Sequence, residues 1–199
     1  MIEIKNIFKS FGKSEVLNDI SAKFERGKTN LIIGQSGSGK TVLLKCLLGL
    51  YSIDQGELIY DSIYSSKMND EEKVNIKKEM GMVFQGSALF DSLTVLENVR
   101  FPLDMLTKYS EKKKNEIALK FIDRVNLNDA INKLPSEISG GMQKRVGIAR
   151  AIVLNPKYLF CDEPNSGLDP KTAIVIDNLI QEITKEYNIT TVINSHDMN

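Results

Sequence analysis

The sequence is short of several things at once. Its 199 residues carry no net charge, with 26 basic against 26 acidic side chains, so no global field argues for a nucleic-acid partner. No apolar run approaches the roughly 18 residues of a membrane-spanning helix, and the N-terminus lacks the apolar stretch of a signal peptide. The cysteines are only two, Cys46 and Cys161, each inside an apolar run. They read as small buried hydrophobes of a reducing, cytoplasmic compartment, not as a disulfide or a metal pair. No internal repeat and no low-complexity linker divides the chain, and its length suits one domain with a small inserted subdomain.

What is present is concentrated in one stretch. Gly34-Gln35-Ser36-Gly37-Ser38-Gly39-Lys40-Thr41 fits the phosphate-binding pattern G-x-x-x-x-G-K-[ST] at every position. The apolar run 29–33 leads into it as a short buried strand, and the run from Val42 to Leu48 leaves it as a helix. Glycines let such a loop wrap closely and turn backbone N–H groups onto phosphate oxygens, and the helix N-terminus adds partial positive charge. Lys40 supplies a full charge to the β- and γ-phosphates, the Thr41 hydroxyl is a Mg²⁺ ligand, and Val42 opens the helix behind them. The pattern implies a nucleoside triphosphate.

The remaining elements follow in order. Ile2 to Ile7 alternates as a half-buried strand, and a second strand runs from Val16 to Phe24. Between them Phe11, followed by Gly12 in a loop, is either a core aromatic or a ring for stacking on a base; guanine would stack nearly as well as adenine. A turn and strand occupy 54–60, a polar exposed helix 70–79, and a strand 80–85 that ends on Gln85. From there to about Pro135 the pattern is helical and charged, with Ile117, Phe121, Ile122 and Val125 on one apolar face. Ser136 to Gln143 runs into a helix through Val153, and Tyr158 to Cys161 is a buried strand ending in Asp162 and Glu163. Ile174, Leu179, Ile180, Ile183 and Tyr187 line a further helix, and Ile189 to Ile193 is a last buried strand before Ser195-His196-Asp197. Strands alternating with helices around such a loop predict an α/β fold with a mainly parallel sheet covered on both faces.

The order of these segments carries a family resemblance over nearly the whole chain. The phosphate loop, Gln85 after a strand, Ser139-Gly140-Gly141, Asp162-Glu163, Ser166-Gly167-Leu168-Asp169 and His196 resemble an ABC-transporter ATPase subunit. That resemblance implies a P-loop NTPase fold with an N-terminal antiparallel β portion. It divides the single domain into a RecA-like core of about 1–85 and 156–199 and a helical subdomain of about 86–155. It implies ATP and Mg²⁺ as ligands and ATP hydrolysis as the activity. Asp162 at a strand end can hold Mg²⁺ beside Thr41, and Glu163 can polarise the attacking water as general base. Gln85 matches the glutamine that joins the metal and water site to the helical insert, and His196 the switch histidine that contacts the γ-phosphate. Ser139, Gly140 and Gly141 match the signature segment, a second anion site without a lysine that faces the γ-phosphate held by another copy. A head-to-tail homodimer around two ATP molecules follows, with Asp169 at its seam. Phe11 takes the place of the aromatic that stacks on adenine.

Ile138 stands where leucine is commonest in the signature and Met142 where glutamine is usual. The stretches 81–103 and 134–142 resemble the Mla-type phospholipid-transport ATPases, Met142 included. This implies a membrane permease as partner, an MCE-domain lipid-binding protein beyond it, and a peripheral position on the inner face of the cytoplasmic membrane. The surface from Ser87 to Val95 is expected to dock a permease helix. The alternative is a single-cassette soluble or cell-division-type ABC ATPase acting on a non-transport partner. Relatives continue past the switch histidine with further strand and helix, so the chain is expected to be truncated at Asn199.

Overall fold

The computed structural model describes residues 1–195, so His196 lies outside the described residues. In chain order the first half consists of β1 (Ile2–Phe11), β2 (Ser14–Phe24), β3 (Thr29–Ile33), α1 (Lys40–Leu47), β4 (Gln55–Tyr60), β5 (Ile63–Tyr64), α2 (Asp70–Lys78) and β6 (Met80–Val83). The second half consists of α3 (Val95–Leu106), α4 (Glu111–Arg124), α5 (Gly140–Ile152), β7 (Tyr158–Asp162), α6 (Pro170–Glu186) and β8 (Thr190–Ser195). β2-β1-β4-β5 is an antiparallel sheet, and β3-β8-β7-β6 is a second sheet whose neighbours all run parallel. The expected α/β architecture with an antiparallel N-terminal portion is therefore the observed one.

β7 shows why the parallel sheet lies between two layers. Its residues alternate, and both alternating sets are apolar, as a strand buried on both faces requires. Tyr158 and Phe160 meet Leu43, Leu44 and Leu47 of α1, together with Ile2, Ile4 and Ile7 of the antiparallel sheet. Leu159 and Cys161 meet the helices on the other face, where Val99, Phe121, Ile122, Val146 and Ile180 are buried. Each fully buried Leu or Ile side chain contributes about 1.5–3 kcal/mol, so α1 is fixed by packing from both sheets despite its eight residues. At the β6–α5 contact a Cβ on Gly81 would lie 2.2 Å from the Ala151 carbonyl oxygen, so only glycine permits that approach.

Several expectations need correction. The strand expected over Ile2–Ile7 continues to Phe11, so Phe11 ends a strand, paired with Ser14, and only Gly12 begins the turn. Its alternation breaks because the ladder with β2 shifts register. Asn6 (φ 46°) and Asp19 (φ 51°) adopt left-handed backbone there and join through their side chains at 2.7 Å. β3 is a sheet edge, with Leu31 58% and Ile33 49% exposed, so the strand expected to be buried is covered on one face only. Ile174 is 60% exposed; Ile176 occupies the core instead. β6 stops at Val83, leaving Gln85 in the following loop.

That loop is folded by a buried polar residue. Asn98 on α3 is fully buried; its Oδ1 accepts from Phe90 N at 2.9 Å, and its Nδ2 donates to the carbonyls of Phe90, Leu93 and Thr94 at 3.1, 2.9 and 3.1 Å. Asn98→Leu keeps the shape but strands these groups, at about 1–3 kcal/mol for each one left without water. The variant is expected to lose about 2 kcal/mol or more in urea unfolding. In the same variant the Phe90 amide should exchange hydrogen faster than in the parent.

Candidate functional site

The loop between β3 and α1 has little conformational choice. Gly37 (φ 78°) and Gly39 (φ 91°) both adopt left-handed backbone, which other residues enter only with strain. Gly39 also caps α1 and lies against the β1–β2 hairpin: a Cβ there would meet the Val16 carbonyl at 3.0 Å and the Val16 and Leu17 side chains at 3.1 and 3.2 Å. Lys40 curls back so that Nζ donates to the Gly34 and Gln35 carbonyls at 2.7 and 2.9 Å. The result is a concavity of about 230 Å³ lined by Ser36, Gly37, Gly39, Lys40, Thr41 and Val42, closed on one side by Val16. Val16 was not legible as a site residue; only the hairpin's fold brings it there.

Phe11 does not line that concavity. Its half-exposed ring packs edge-on against Tyr51, centroids 5.3 Å apart, with the Lys9 ammonium 5.3 Å from its centroid. It is a supported aromatic surface at the end of β1.

At the C-terminal ends of β7 and β8 the polar groups converge on α1. Asp162 and Asn194 are register partners and continue the row of Phe160 and Val192, which face α1. The Thr41 hydroxyl donates to Asp162 Oδ1 at 3.3 Å and accepts from Asn194 Nδ2 at 3.4 Å. Glu163 has left-handed backbone (φ 46°), and its N–H is shared between the main-chain carbonyl and side-chain Oδ1 of Asn194, at 3.2 and 2.9 Å. The Gln85 amide donates to Glu163 Oε2 at 3.0 Å and to Ser166 Oγ at 3.4 Å. Its main-chain carbonyl accepts from Lys144 Nζ on α5. Burial pushes the Lys144 pKa down, with the Glu163 charge acting in the opposite direction. Gln85 therefore meets Glu163 and not, among the described residues, Thr41 or Asp162.

The donor set suits a hard cation. No group of three or more His, Cys, Asp and Glu side chains that could hold a metal occurs among the described residues. A hydroxyl and a single carboxylate side by side are oxygen ligands of the kind Mg²⁺ takes when phosphates and water complete its shell.

Ser139, Gly140, Gly141 and Asp169 form a different place. Ser139 caps α5, accepting from Met142 N at 3.3 Å, and Asp169 caps α6, accepting from Lys171 N and Thr172 N at 3.1 Å each. Hydrogen bonds from Thr172 and the α6 backbone hold the Asp169 carboxyl below the usual carboxylate range. The two helix N-termini stand close, since a Cβ on Gly141 would lie 2.6 Å from Thr172 Cγ2. Between them is a concavity of about 550 Å³ that also reaches Arg145 and Gly167, and it shares no lining residue with the Lys40 loop. The Lys40 loop and the paired N-termini of α5 and α6 thus form two separate concavities.

Comparison with known proteins gives the same outline. Residues 17–166 match the family described as ABC transporter. The chain is 41% identical to the methionine import ATP-binding protein MetN of Clostridium tetani, covering all of this chain and 62% of that one. It is 38% identical to a probable ribonucleotide transport ATP-binding protein, mkl, of Mycobacterium leprae, with 100% and 57% covered. Against the intermembrane phospholipid transport ATP-binding protein MlaF of Haemophilus influenzae the identity is 36%, with 100% and 75% covered. The chain thus spans 57 to 62% of the length of the first two of these curated relatives. Among solved structures, the ATP-binding cassette MJ0796, a post-hydrolysis dimer bound to ADP and Pi, superposes with a TM-score of 0.86 at 33% identity, with 100% of this chain and 89% of that one covered.

If Asp162 and Thr41 share a cation, Asp162→Asn should remove most of the Mg²⁺-dependent part of the thermal stabilisation given by ATP. The part that persists without Mg²⁺ should remain. Melting curves with ATP, with and without MgCl₂, check this.

Proposed function

The chain belongs to the ABC transporter family, and from that premise we propose that it is an ATP-binding and ATP-hydrolysing subunit working as a head-to-tail homodimer. The observation that supports this best is the separation of the two concavities. The Lys40 loop and the Ser139–Gly141 segment line different concavities, which supports a second copy presenting the segment to the phosphates held by the loop.

The chemistry follows from the side chains. The loop N–H groups and Lys40 hold the phosphates, and Phe11 carries the base. Thr41 and Asp162 would hold Mg²⁺, which when bound neutralises charge on the phosphates. Glu163 takes the proton of the attacking water, and Gln85, hydrogen-bonded to its carboxylate, reports its position to the helical segment. His196 contacts the γ-phosphate. Ser139, Gly140 and Gly141 of one copy close over the triphosphate of the other, with Asp169 at the seam, so hydrolysis removes contacts that hold the pair closed. The helical subdomain of about 86–155 moves against the core of about 1–85 and 156–199.

The partner is a membrane permease, with this chain peripheral on the inner face of the cytoplasmic membrane. No helix of the described residues is long and apolar enough to cross a membrane itself. The docking surface is the groove of about 330 Å³ between Phe84, Ala88, Phe90, Phe101 and Leu106, where Phe84 and Phe90 are each 43% exposed. Ser87 and Val95, the ends of the stretch expected to dock, are buried; of that stretch Ala88 and Phe90 line the groove. An apolar helix of the permease fits this groove. The cargo is phospholipid or another hydrophobic molecule delivered by an MCE-domain partner. The stretches 81–103 and 134–142 support that reading, while relatives of similar identity are named for methionine and ribonucleotide transport.

Glu163→Gln should lower turnover by about 100-fold or more and leave an ATP-bound dimer on size exclusion; surviving turnover would refute the general base. Phe90→Ala with Leu93→Asp should abolish permease association while ATP binding persists. Mass spectrometry of partners captured with the tagged protein from detergent-solubilised native membranes decides the cargo class. A permease with an MCE-domain protein supports lipid, and a permease with a soluble binding protein supports a small polar solute.

A further inference from the structure

One residue of the site has no place in the roles set out above. Asn194 is completely buried at the C-terminal end of β8, between Ile32 of β3 and Asp162 of β7 in the sheet register. It ends the run Thr190-Thr191-Val192-Ile193, in which the preceding residue on the same face, Val192, packs on α1. A buried amide in that row costs free energy unless both ends are hydrogen-bonded. Both are, and both partners belong to the reacting site. Nδ2 donates to the Thr41 hydroxyl at 3.4 Å, and Oδ1 accepts from Glu163 N–H at 2.9 Å.

The geometry points to Asn194 as a positioning residue that sets Thr41 and Glu163 at once. Donation from Nδ2 occupies one lone pair of the Thr41 oxygen, and the Thr41 proton is committed to Asp162 Oδ1 at 3.3 Å. One acceptor position of the hydroxyl remains for a cation. At its other end Oδ1 holds Glu163 in the left-handed backbone conformation (φ 46°), which a residue with a Cβ adopts only when its surroundings enforce it. That conformation carries the Glu163 side chain to Gln85 and Ser166, across the gap between the core strands and the loop after β6. An aliphatic residue at 194 would fill the space but remove one of the two hydrogen bonds that orient the Thr41 hydroxyl. It would also remove the shorter of the two acceptors from the Glu163 N–H, leaving the main-chain carbonyl of position 194 at 3.2 Å. Asn194 touches neither phosphate nor water; it acts through the two groups it orients.

This inference rests on Thr41 as a metal ligand and Glu163 as the base, and the experiment separates its failure from theirs. Asn194→Leu, Asn194→Asp, Glu163→Gln and the double variants in the Glu163→Gln background are compared as full chains, with folding checked by far-UV circular dichroism. Asn194→Leu should lower kcat by about 10- to 100-fold, the scale of a small misplacement of reacting groups, with the KM for ATP within twofold. Asn194→Asp, which keeps the acceptor for Glu163 N–H, should recover part of kcat. At saturating Mg²⁺, Asn194→Leu in the Glu163→Gln background should have no further effect on residual turnover, because groups that act as a unit are not additive. There it should still raise the Mg²⁺ concentration needed for ATP-driven dimerisation on size exclusion, a readout independent of turnover. Losses that multiply in the double variant, or an unchanged Mg²⁺ requirement, would overturn the assignment. If Asn194→Leu does not fold, Asn194→Ser carries the same comparisons. Full turnover in Glu163→Gln alone would instead overturn the base.

Discussion

Everything at the site depends on α1 being clamped between two sheets. Its apolar face, Leu43, Leu44 and Leu47, is buried against β7 and β8 on one side and β1 on the other. The helix is too short to be stable alone, so tertiary packing sets its axis and the direction of its N-terminus. Gly39 completes the constraint, because any side chain there would strike the Val16 carbonyl. The loop, Lys40 and Thr41 inherit a fixed position from that contact, and the strand ends carrying Asp162 and Asn194 meet Thr41 because the same strands pack on the same helix.

A second set of contacts joins this core to the helices. Lys144 and Arg150, both on α5, reach three main-chain carbonyls of the loop after β6: Lys144 donates to Gln85, and Arg150 donates to Ser87 at 2.7 Å and Ala88 at 2.8 Å. Ser87 and Ala88 hold positive φ there, 60° and 46°. The helix that opens with Ser139–Gly141 therefore grips the loop whose Gln85 side chain touches Glu163. The loop beside the apolar groove at Phe84 and Phe90 is thus hydrogen-bonded to Glu163 through Gln85 and to α5 through Lys144 and Arg150. The burial that depresses the Lys144 pKa is the cost of placing one of these ties beside Glu163.

Much of this was legible, and the reasons differ by residue. The phosphate loop was readable because its glycines and lysine are consecutive and serve a local geometry. Ser139 and Asp169 entered through the family resemblance, and the structure adds that each caps a helix. β1 was read too short because paired left-handed residues at Asn6 and Asp19 interrupt its alternation. β3 was read as a buried strand because apolar composition does not reveal which strand forms the sheet edge.

The sequence by itself determined the class of the molecule: a strand–loop–helix of the phosphate-binding pattern, two carboxylates at the end of a buried strand, a Ser-Gly-Gly segment at the start of a helix, and the order that joins them. Those signals are local, each confined to a few consecutive residues with one backbone geometry. Only the tertiary structure decided what the separated residues do to one another. Val16 closing the phosphate loop, Lys144 holding Gln85, and Asn194 linking Thr41 to Glu163 across 153 and 31 positions of sequence are products of register and packing. A polar residue at the end of an apolar run was the one hint of Asn194. Its partners were fixed by the parallel pairing of β7 with β8, where a shift of one residue would turn the amide to the opposite face.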